Sequence, residues 1–292
     1  MSTFTAYIKK EQMESSRQSK YLILVAFFGF FALSTPIMLR LMPSIIESQM
    51  PGFPKELMEF NAVYSVQNYI KSIYQLGNMA VAFVLMGVLA DERLQGKLVY
   101  PASQGASMTG VVGAKLVHYG AAVSAIVFVS AMLTYYYSVV LFPGSDPGVA
   151  AAARSAGLLA AYFATRVVIV VFASALFTKA LAAGLAALVV SYVEPIVTSL
   201  PHWKSFVAYS LIDMANKSLG PSMGMMPGAG AGPGPGAVGG AGAGAMMAVG
   251  RTGSEINGWV LTAALIVEVA VMVLMTVWRM KNAEIAPGAG AQ

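Results

Sequence analysis

The residue types that most often carry chemistry are scarce in this chain. It has no cysteine and two histidines, His118 and His202, among its 292 residues. Disulfides, thiolate metal sites and cysteine nucleophiles are therefore excluded, and a metal site built from histidines is not expected. The phosphate-binding pattern GxxxxGKS/T is absent. We expect that the chain is not an enzyme and that it holds no cofactor of its own.

The charged residues gather instead in segment 91–115, which reads DERLQGKLVYPASQGASMTGVVGAK and lies between two long apolar runs. Gly96 permits a tight turn in this polar loop. Pro101 restricts the residue before it and so separates two short helices, and Ser103 is placed to cap a helix that continues through Met108. We interpret the polar loop as a cytosolic coupling helix that receives force from another subunit. An ordinary connector between two spans is the alternative.

Three ionisable residues, Arg166, Glu194 and Glu268, lie inside the apolar runs. Such residues are costly in a membrane unless they are paired or hydrated. Arg166 and Glu268 both lie roughly ten residues from the outer ends of their runs, which is a similar depth at a rise of ~1.5 Å per residue. We therefore predict an Arg166–Glu268 pair, within one subunit or across a dimer, which either joins two helices or lines a substrate path. Glu194 stands beside Pro195, and we interpret it as the cap of a helix break.

Methionine is abundant, with 19 residues in the chain. Met223, Met225 and Met226 lie together among glycine, alanine and proline, and their thioethers suit Cu(I). Methionine also suits a flexible apolar loop in contact with lipid. We therefore predict a flexible outer loop over 220–250 and no metal site, with copper binding as the alternative.

The elements that position these residues follow from composition. Hydrophobic residues make up 57% of the chain and charged residues 11%, and the mean hydropathy is +0.69. A soluble domain has about 25% charged residues. This deficit, with several uncharged runs near the ~20 residues that cross a bilayer, indicates an all-α polytopic membrane protein. The six predicted spans are 21–41, 73–90, 116–141, 155–178, 180–200 and 258–278.

The two ends of the chain set the predicted topology. Basic residues precede the first span, and Arg279 and Lys281 follow the last, so both termini are expected in the cytoplasm. Residues 1–20 are predicted to form an amphipathic helix at the membrane surface, with a solvated tail as the alternative. Its apolar face would contain Phe4, Tyr7, Ile8 and Met13.

Two segments are expected on the outer side. Segment 43–72 contains three prolines and apolar residues at helical spacing, which predicts a helical hairpin whose second arm runs into the second span. Segment 201–257 is predicted to begin with a helix at the membrane surface and to continue into the flexible loop. The series of alanine and glycine over 180–187 is expected to serve at helix interfaces.

These patterns together resemble the permease subunit of an ABC-2 type ABC transporter. The N-terminal KExxESxRxxK pattern starts at Lys10 and is followed by a span that contains Pro36. In the polar loop, Glu92, Gly96 and Leu98 match the family pattern E-x-x-x-G-T-L, with Lys97 in place of threonine. Further on, residues 101–103 match P-V/A-S, and Lys115 matches a lysine that opens the next span. The resemblance implies an ATPase-coupling role for Glu92, Arg93, Gly96, Lys97, Pro101 and Ser103.

The resemblance also implies what the chain works with. We expect an exporter permease in the plasma membrane, driven by a separate ATPase subunit in two copies that holds ATP and magnesium. A second permease copy, the same or different, would complete the transporter, which would work by alternating access or a lateral route. The alternative is a subunit that transports nothing and transmits ATPase-driven motion to an extracytoplasmic protein. No nucleic-acid partner is expected.

Overall fold

The computed structural model describes residues 3–49, 60–99, 103, 105–144, 146–198, 200, 204–221 and 258–282. This part of the chain is helical and contains no strand. The α-helices are α1 (Thr3–Arg17), α2 (Lys20–Gln49), α3 (Ala62–Leu85), α4 (Ala90–Leu94), α5 (Met108–Leu141), α6 (Val149–Leu176), α7 (Ala180–Thr198), α8 (Ser210–Ser218) and α9 (Gly258–Asn282). A short 3-10 helix, Lys204–Phe206, precedes α8.

Six of these helices, α2, α3, α5, α6, α7 and α9, are long and apolar enough to cross a membrane. They overlap the six predicted spans, and the prediction of an all-α, multi-pass membrane protein is confirmed. The reason is that a backbone in hydrocarbon must satisfy its own hydrogen bonds, so each long apolar run forms a helix. The predicted flexible loop over 220–250 and its methionines lie almost wholly outside the described residues.

The first span is longer than predicted. Helix α2 continues through Pro36 and Pro43 to Gln49, so residues 43–49 extend the first span. Residues 50–59, where the predicted outer hairpin would turn, lie outside the described residues. Proline is tolerated in membrane helices because neighbouring groups satisfy the freed carbonyls. The second arm does run directly into the second span, in α3, whose first turn is capped by Asn61: its side chain accepts a hydrogen bond of 2.7 Å from the Tyr64 amide.

The third span begins inside the predicted polar loop. Residues 105–107 are not helical, and α5 starts at Met108 with Ser107 as its cap, which accepts a 3.2 Å hydrogen bond from the Gly110 amide. The prediction that Ser103 caps a helix continuing through Met108 is therefore wrong. Ser103 and Ser107 are both residues of a type that caps helices. Ser107 has the extended backbone that a cap requires, whereas Ser103 is helical.

The core of the bundle is formed by α3 and α6, which contact each other and also α5 and α7. They bury 56% and 61% of their apolar windows, whereas α9 buries 17% and therefore turns most of its apolar side chains to the surroundings. Helix α7 packs against α3 and α6, and its buried residues include the small residues Ala183, Gly184 and Ala187. Gly184 lies against Ala82 of α3 and against Met86. The alanine and glycine residues of this series therefore lie at a helix–helix interface within one chain.

Gly77 of α3 lies in the core, where neighbouring side chains pack tightly against it. A methyl group there would lie 3.0 Å from side-chain atoms of Ile73 and Phe163 and 3.2 Å from Phe28. We expect Gly77→Ala to lower the free energy of unfolding by about 1–3 kcal/mol through overpacking. Gly120→Ala is the matched control, because a methyl at Gly120 meets nothing within 4 Å. Thermal unfolding in detergent would measure both, and equal melting temperatures would contradict the prediction.

Candidate functional site

The polar loop begins with the short helix α4, and its end has a defined geometry. Gly96 has a φ of +65°, which L side chains rarely adopt. Its amide donates to the Arg93 carbonyl at 3.1 Å, and the Lys97 amide donates to the Glu92 carbonyl at 2.9 Å. This pair of bonds is the Schellman motif that closes a helix. Gly96 therefore ends α4 sharply and turns the chain back toward the bundle.

The start of α4 is fixed to the end of the fourth span, α6. The Ser174 hydroxyl accepts hydrogen bonds from the amides of Leu89 and Ala90, at 3.0 and 2.8 Å. The Arg93 guanidinium donates to the Ala175 carbonyl at 2.6 Å. The first amide groups and the last carbonyl groups of a helix have no hydrogen-bond partners within that helix. The polar loop is thus bonded to α6 by backbone as well as side-chain groups.

Glu92 points from α4 into a buried charge cluster that consists of Lys10, Glu11, Glu92 and Lys115. Its carboxylate forms ion pairs with Lys10 and with Lys115, the latter at 3.0 Å. Lys115 also binds the Glu11 carboxylate at 2.7 Å. Glu11 and Lys115 are each 1% exposed and Glu92 is 4% exposed. Charges as buried as these must be paired, so the cluster joins α1, α4 and α5.

A second layer of polar groups surrounds Glu11. The Tyr119 hydroxyl donates to its carboxylate at 2.9 Å, and Ser15 donates to that hydroxyl at 3.1 Å. Helix α1 thus buries Tyr7, Glu11 and Ser15, which recur every four residues along one face. The predicted amphipathic helix exists, but the face that it turns to the bundle is largely polar, and Met13 of the predicted apolar face is 52% exposed.

The cluster is balanced in charge. The carboxylates of Glu11, Glu14 and Glu92 come within 4.8 Å of one another. The ammonium groups of Lys10 and Lys115 form ion pairs among these three carboxylates, so two of the three negative charges are neutralised. A polar cavity of about 70 Å³ adjoins the cluster, which is large enough for ordered water. Its chemistry is therefore that of a polar joint between helices.

The pKa of Lys10 follows from this setting. Burial alone lowers the pKa of Lys10. The hydrogen bond to Glu92 and the negative charges of Glu92, Glu11 and Glu14 raise it by more than burial lowers it, so the pKa lies above the ordinary value of 10.5. A raised lysine pKa stabilises the fold below the unfolded value and loses that effect as pH rises through the folded value. We expect α1 to stay docked at neutral pH and to loosen only above pH 10.5. Amide hydrogen exchange of residues 7–15 would measure this, and loosening at neutral pH would contradict it.

Sequence reasoning named most of the residues in this site but not their contacts. Glu92, Arg93 and Gly96 all hold structural positions, while Lys97 is exposed. Pro101 lies outside the described residues, and Ser103 is exposed. Sequence reasoning missed Ser174, Tyr119 and Ser107. Only the position of Ser174, in the last turn of an apolar run near the loop, could have indicated its role.

A second polar site lies within the membrane-spanning helices and corrects a prediction. Arg166 of α6 pairs with Glu194 of α7, not with Glu268, and its guanidinium also donates to the Ser191 hydroxyl at 3.3 Å. Glu194 does not cap a break, because α7 continues through Pro195 to Thr198. Helices α6 and α7 are consecutive and antiparallel, so their facing turns bring Arg166 to Glu194.

Aromatic and amide groups complete this intramembrane site. The Arg166 guanidinium lies 4.3 Å from the centre of the Tyr162 ring, a cation–π contact. Asn78 of α3 donates to the Tyr162 hydroxyl at 2.9 Å, and the Tyr74 hydroxyl donates to the Ser191 carbonyl at 3.1 Å. The site therefore ties α3, α6 and α7 together in the middle of the bundle.

Comparisons of this chain with models of protein families, with curated proteins and with solved structures give no match. The candidate site is therefore described by its own geometry. Two polar joints stand out: the charge cluster at the polar loop and the Arg166–Glu194 site in the membrane. The predicted copper residues Met223, Met225 and Met226 lie outside the described residues.

Proposed function

We propose that this chain is the permease subunit of an ABC-2 type transporter, an exporter driven by a separate ATPase subunit. The observation that carries the proposal is the buried ion-pair link from Glu92 through Lys115 to Glu11. It joins the polar loop to α1 and α5 with pairs that cannot shift independently. A loop that only connected two spans would not need buried charges, which are costly to desolvate.

The anchoring of α4 supports the same proposal. One end is bonded to the end of α6 through Ser174 and Arg93, and the other is closed by Gly96. A push on α4 therefore reaches the third and fourth spans and the N-terminal helix together. This is the mechanical property that a coupling helix requires, because ATP-driven motion must reach several spans at once.

The outward face of α4 offers a contact surface for a partner. Leu94 is 74% exposed at the end of this helix, and Gln95 and Lys97 beside it are exposed as well. A single exposed leucine is common on protein surfaces, but this one lies beside exposed polar residues at the end of α4, and Asp91 at the start of α4 is exposed as well. We assign this surface, Leu94 to Lys97, to the ATPase subunit.

The remaining features fit one half of a transporter. The basic residues of α1 and those in the last turn of α9, Arg279 and Lys281, favour a cytoplasmic location for both termini and the polar loop. Helix α9, with most of its apolar side chains turned outward, is available to lipid or to a second permease copy. The Arg166–Glu194 site supplies a polar contact between spans that could rearrange as the transporter alternates its access.

Site-specific photo-crosslinking tests the proposal. A photoreactive residue in place of Leu94 should crosslink, in native membranes, to a polypeptide with a Walker motif. The same residue in place of Val149, which is also exposed and lies at the other end of the bundle, should not. A crosslink from Val149 to a folded extracytoplasmic protein, together with the ATPase crosslink from Leu94, would favour the alternative function. No ATPase crosslink from Leu94 or Lys97 would overturn the proposal.

A further inference from the structure

The re-entrant segment, residues 204–220, enters the bundle between α7 and α9 from the end opposite α4 (the far end). A 3-10 helix is followed by a short non-helical stretch and then by α8. Tyr209, just before α8, meets Tyr74 of α3 edge-on, with ring centres 5.1 Å apart. The other end of α8 is bonded to Gln67 of α3. Since Tyr74 lies about two turns deeper along α3 than Gln67, α8 starts deep in the bundle and runs back toward the far end.

The re-entrant segment is buried in protein rather than laid over its surface. Helix α8 packs on α6 and α3, and Ser210, Ile212 and Ala215 are buried there. Ala208 and Tyr209, in the non-helical stretch, are buried as well. Irregular backbone at membrane depth is tolerated only where protein covers it or a water-filled cavity adjoins it. Most connections between helices run over the surface and avoid this constraint, so the position of this one calls for a role inside the bundle.

The deep end of the re-entrant segment lies beside the Arg166–Glu194 site. Tyr74, which Tyr209 contacts, donates to the Ser191 carbonyl at 3.1 Å. The Ser191 hydroxyl accepts from the Arg166 guanidinium at 3.3 Å. Tyr209 therefore belongs to the layer of side chains next to the charged site, and α8 lies between that layer and the far end.

One side chain of α3 holds the end of α8 through two hydrogen bonds. The Gln67 Nε2 group donates to the carbonyls of Asn216, at 3.3 Å, and of Gly220, at 3.1 Å. The last carbonyls of a helix have no partners within that helix, so Gln67 supplies a cap from a neighbouring helix. Gly220 has a φ of +86°, which ends the helical path at this point.

We propose that the re-entrant segment is a gate that closes the Arg166–Glu194 site toward the far end, and that Gln67 holds this gate closed. In the closed position, Tyr209 and α8 separate the charged site from water at the far end. When the two hydrogen bonds of Gln67 break, α8 moves away from α3 and the site becomes accessible from that end. The proposed function places the far end outside the cell, but the gate needs no ATPase subunit to be observed.

Cysteine labelling of the full chain in lipid nanodiscs, where both ends of the bundle face water, tests the proposal. The chain has no cysteine, so Ser191→Cys places a single thiol in the site, where residue 191 is 4% exposed. A water-soluble thiol reagent should label it slowly. With Gln67→Leu, which removes both hydrogen bonds, labelling should be at least ~10-fold faster. Equal labelling rates with and without Gln67→Leu would overturn the proposal.

Three further variants separate opening of the gate from a folding defect. Gln67→Asn keeps the amide but shortens its reach, so it should give an intermediate rate even where Gln67→Leu does not fold. Ser174→Cys places the thiol at the other end of α6, in a buried position, and Gln67→Leu should leave its labelling slow. Gln75→Leu changes the same residue type further along α3, and the Gln75 side chain forms no hydrogen bond among the described residues. Labelling of Ser191→Cys should therefore stay slow in Gln75→Leu. Faster labelling of both thiols in Gln67→Leu would show a general loosening of the bundle and contradict the gate.

Discussion

In the Glu92→Gln variant, the ATPase partner should still hydrolyse ATP while the spans no longer respond to it. Glutamine keeps the shape of Glu92 but removes the charge that neutralises Lys10 and Lys115. Lys115, which is 1% exposed, then depends on Glu11 alone. Breaking a buried pair by removing one partner costs about 3–5 kcal/mol. That loss should appear as the release of α4 from α1 and α5.

The response of the spans can be measured without knowledge of the substrate. The chain has no cysteine, so cysteines introduced at Ile45 and Val149, which are both exposed and at the end of the bundle opposite α4, can carry spin labels. ATP with vanadate should change the distance between the labels in the complex with unsubstituted Glu92. We expect the equilibrium constant for this conformational change to fall at least ~10-fold in Glu92→Gln, which corresponds to ~1.4 kcal/mol of coupling free energy.

Two further variants decide what the result means. Glu14→Gln is the control, because Glu14 lies at the edge of the charge cluster and contacts only Lys10 at 3.8 Å and Gln18; it should couple normally. Gly96→Val should uncouple like Glu92→Gln, since its φ of +65° disfavours a branched side chain and the end of α4 would open. If Glu92→Gln and Gly96→Val fold and both keep the distance change, the polar loop is a connector and the proposed function is wrong.

Arg166→Met should strongly destabilise the bundle. Methionine fills the space of the arginine stem but leaves Glu194 buried without a counter-charge and Ser191 without its donor. It also removes the cation–π contact with Tyr162. We expect a loss of about 3–5 kcal/mol in the free energy of unfolding, the usual cost of an orphaned buried charge. Thermal or denaturant unfolding in detergent would measure it.

A double variant separates the ion pair from simple packing. Arg166→Met combined with Glu194→Leu removes both charges and should recover most of the lost stability, because apolar replacements of a whole buried pair are often neutral. Arg166→Met combined with Glu268→Leu is the matched control and should recover little, since Arg166 does not pair with Glu268. If stability were recovered only by the Glu268 substitution, the Arg166–Glu268 pair predicted from the sequence would be supported and the Arg166–Glu194 pair contradicted.

The sequence by itself determined the class of protein and the number of spans. Apolar runs of about 20 residues must form helices in a bilayer, whatever their neighbours are. The same rule explains the error at Pro43: a proline that would end a helix in water is tolerated in α2, because the membrane offers the backbone no competing partner. The polar loop was also evident, since a group of charges between two apolar runs has no place in the hydrocarbon.

Only the tertiary structure decided which charges meet. The position of Arg166 along its helix is compatible with a contact to either Glu194 or Glu268. Which of the two it meets depends on how α6, α7 and α9 pack. The pairing of Glu11 with Lys115 crosses 104 residues of sequence, and no local pattern encodes it. Contacts of this kind come from the relative placement of whole helices, which the burial of many side chains sets together.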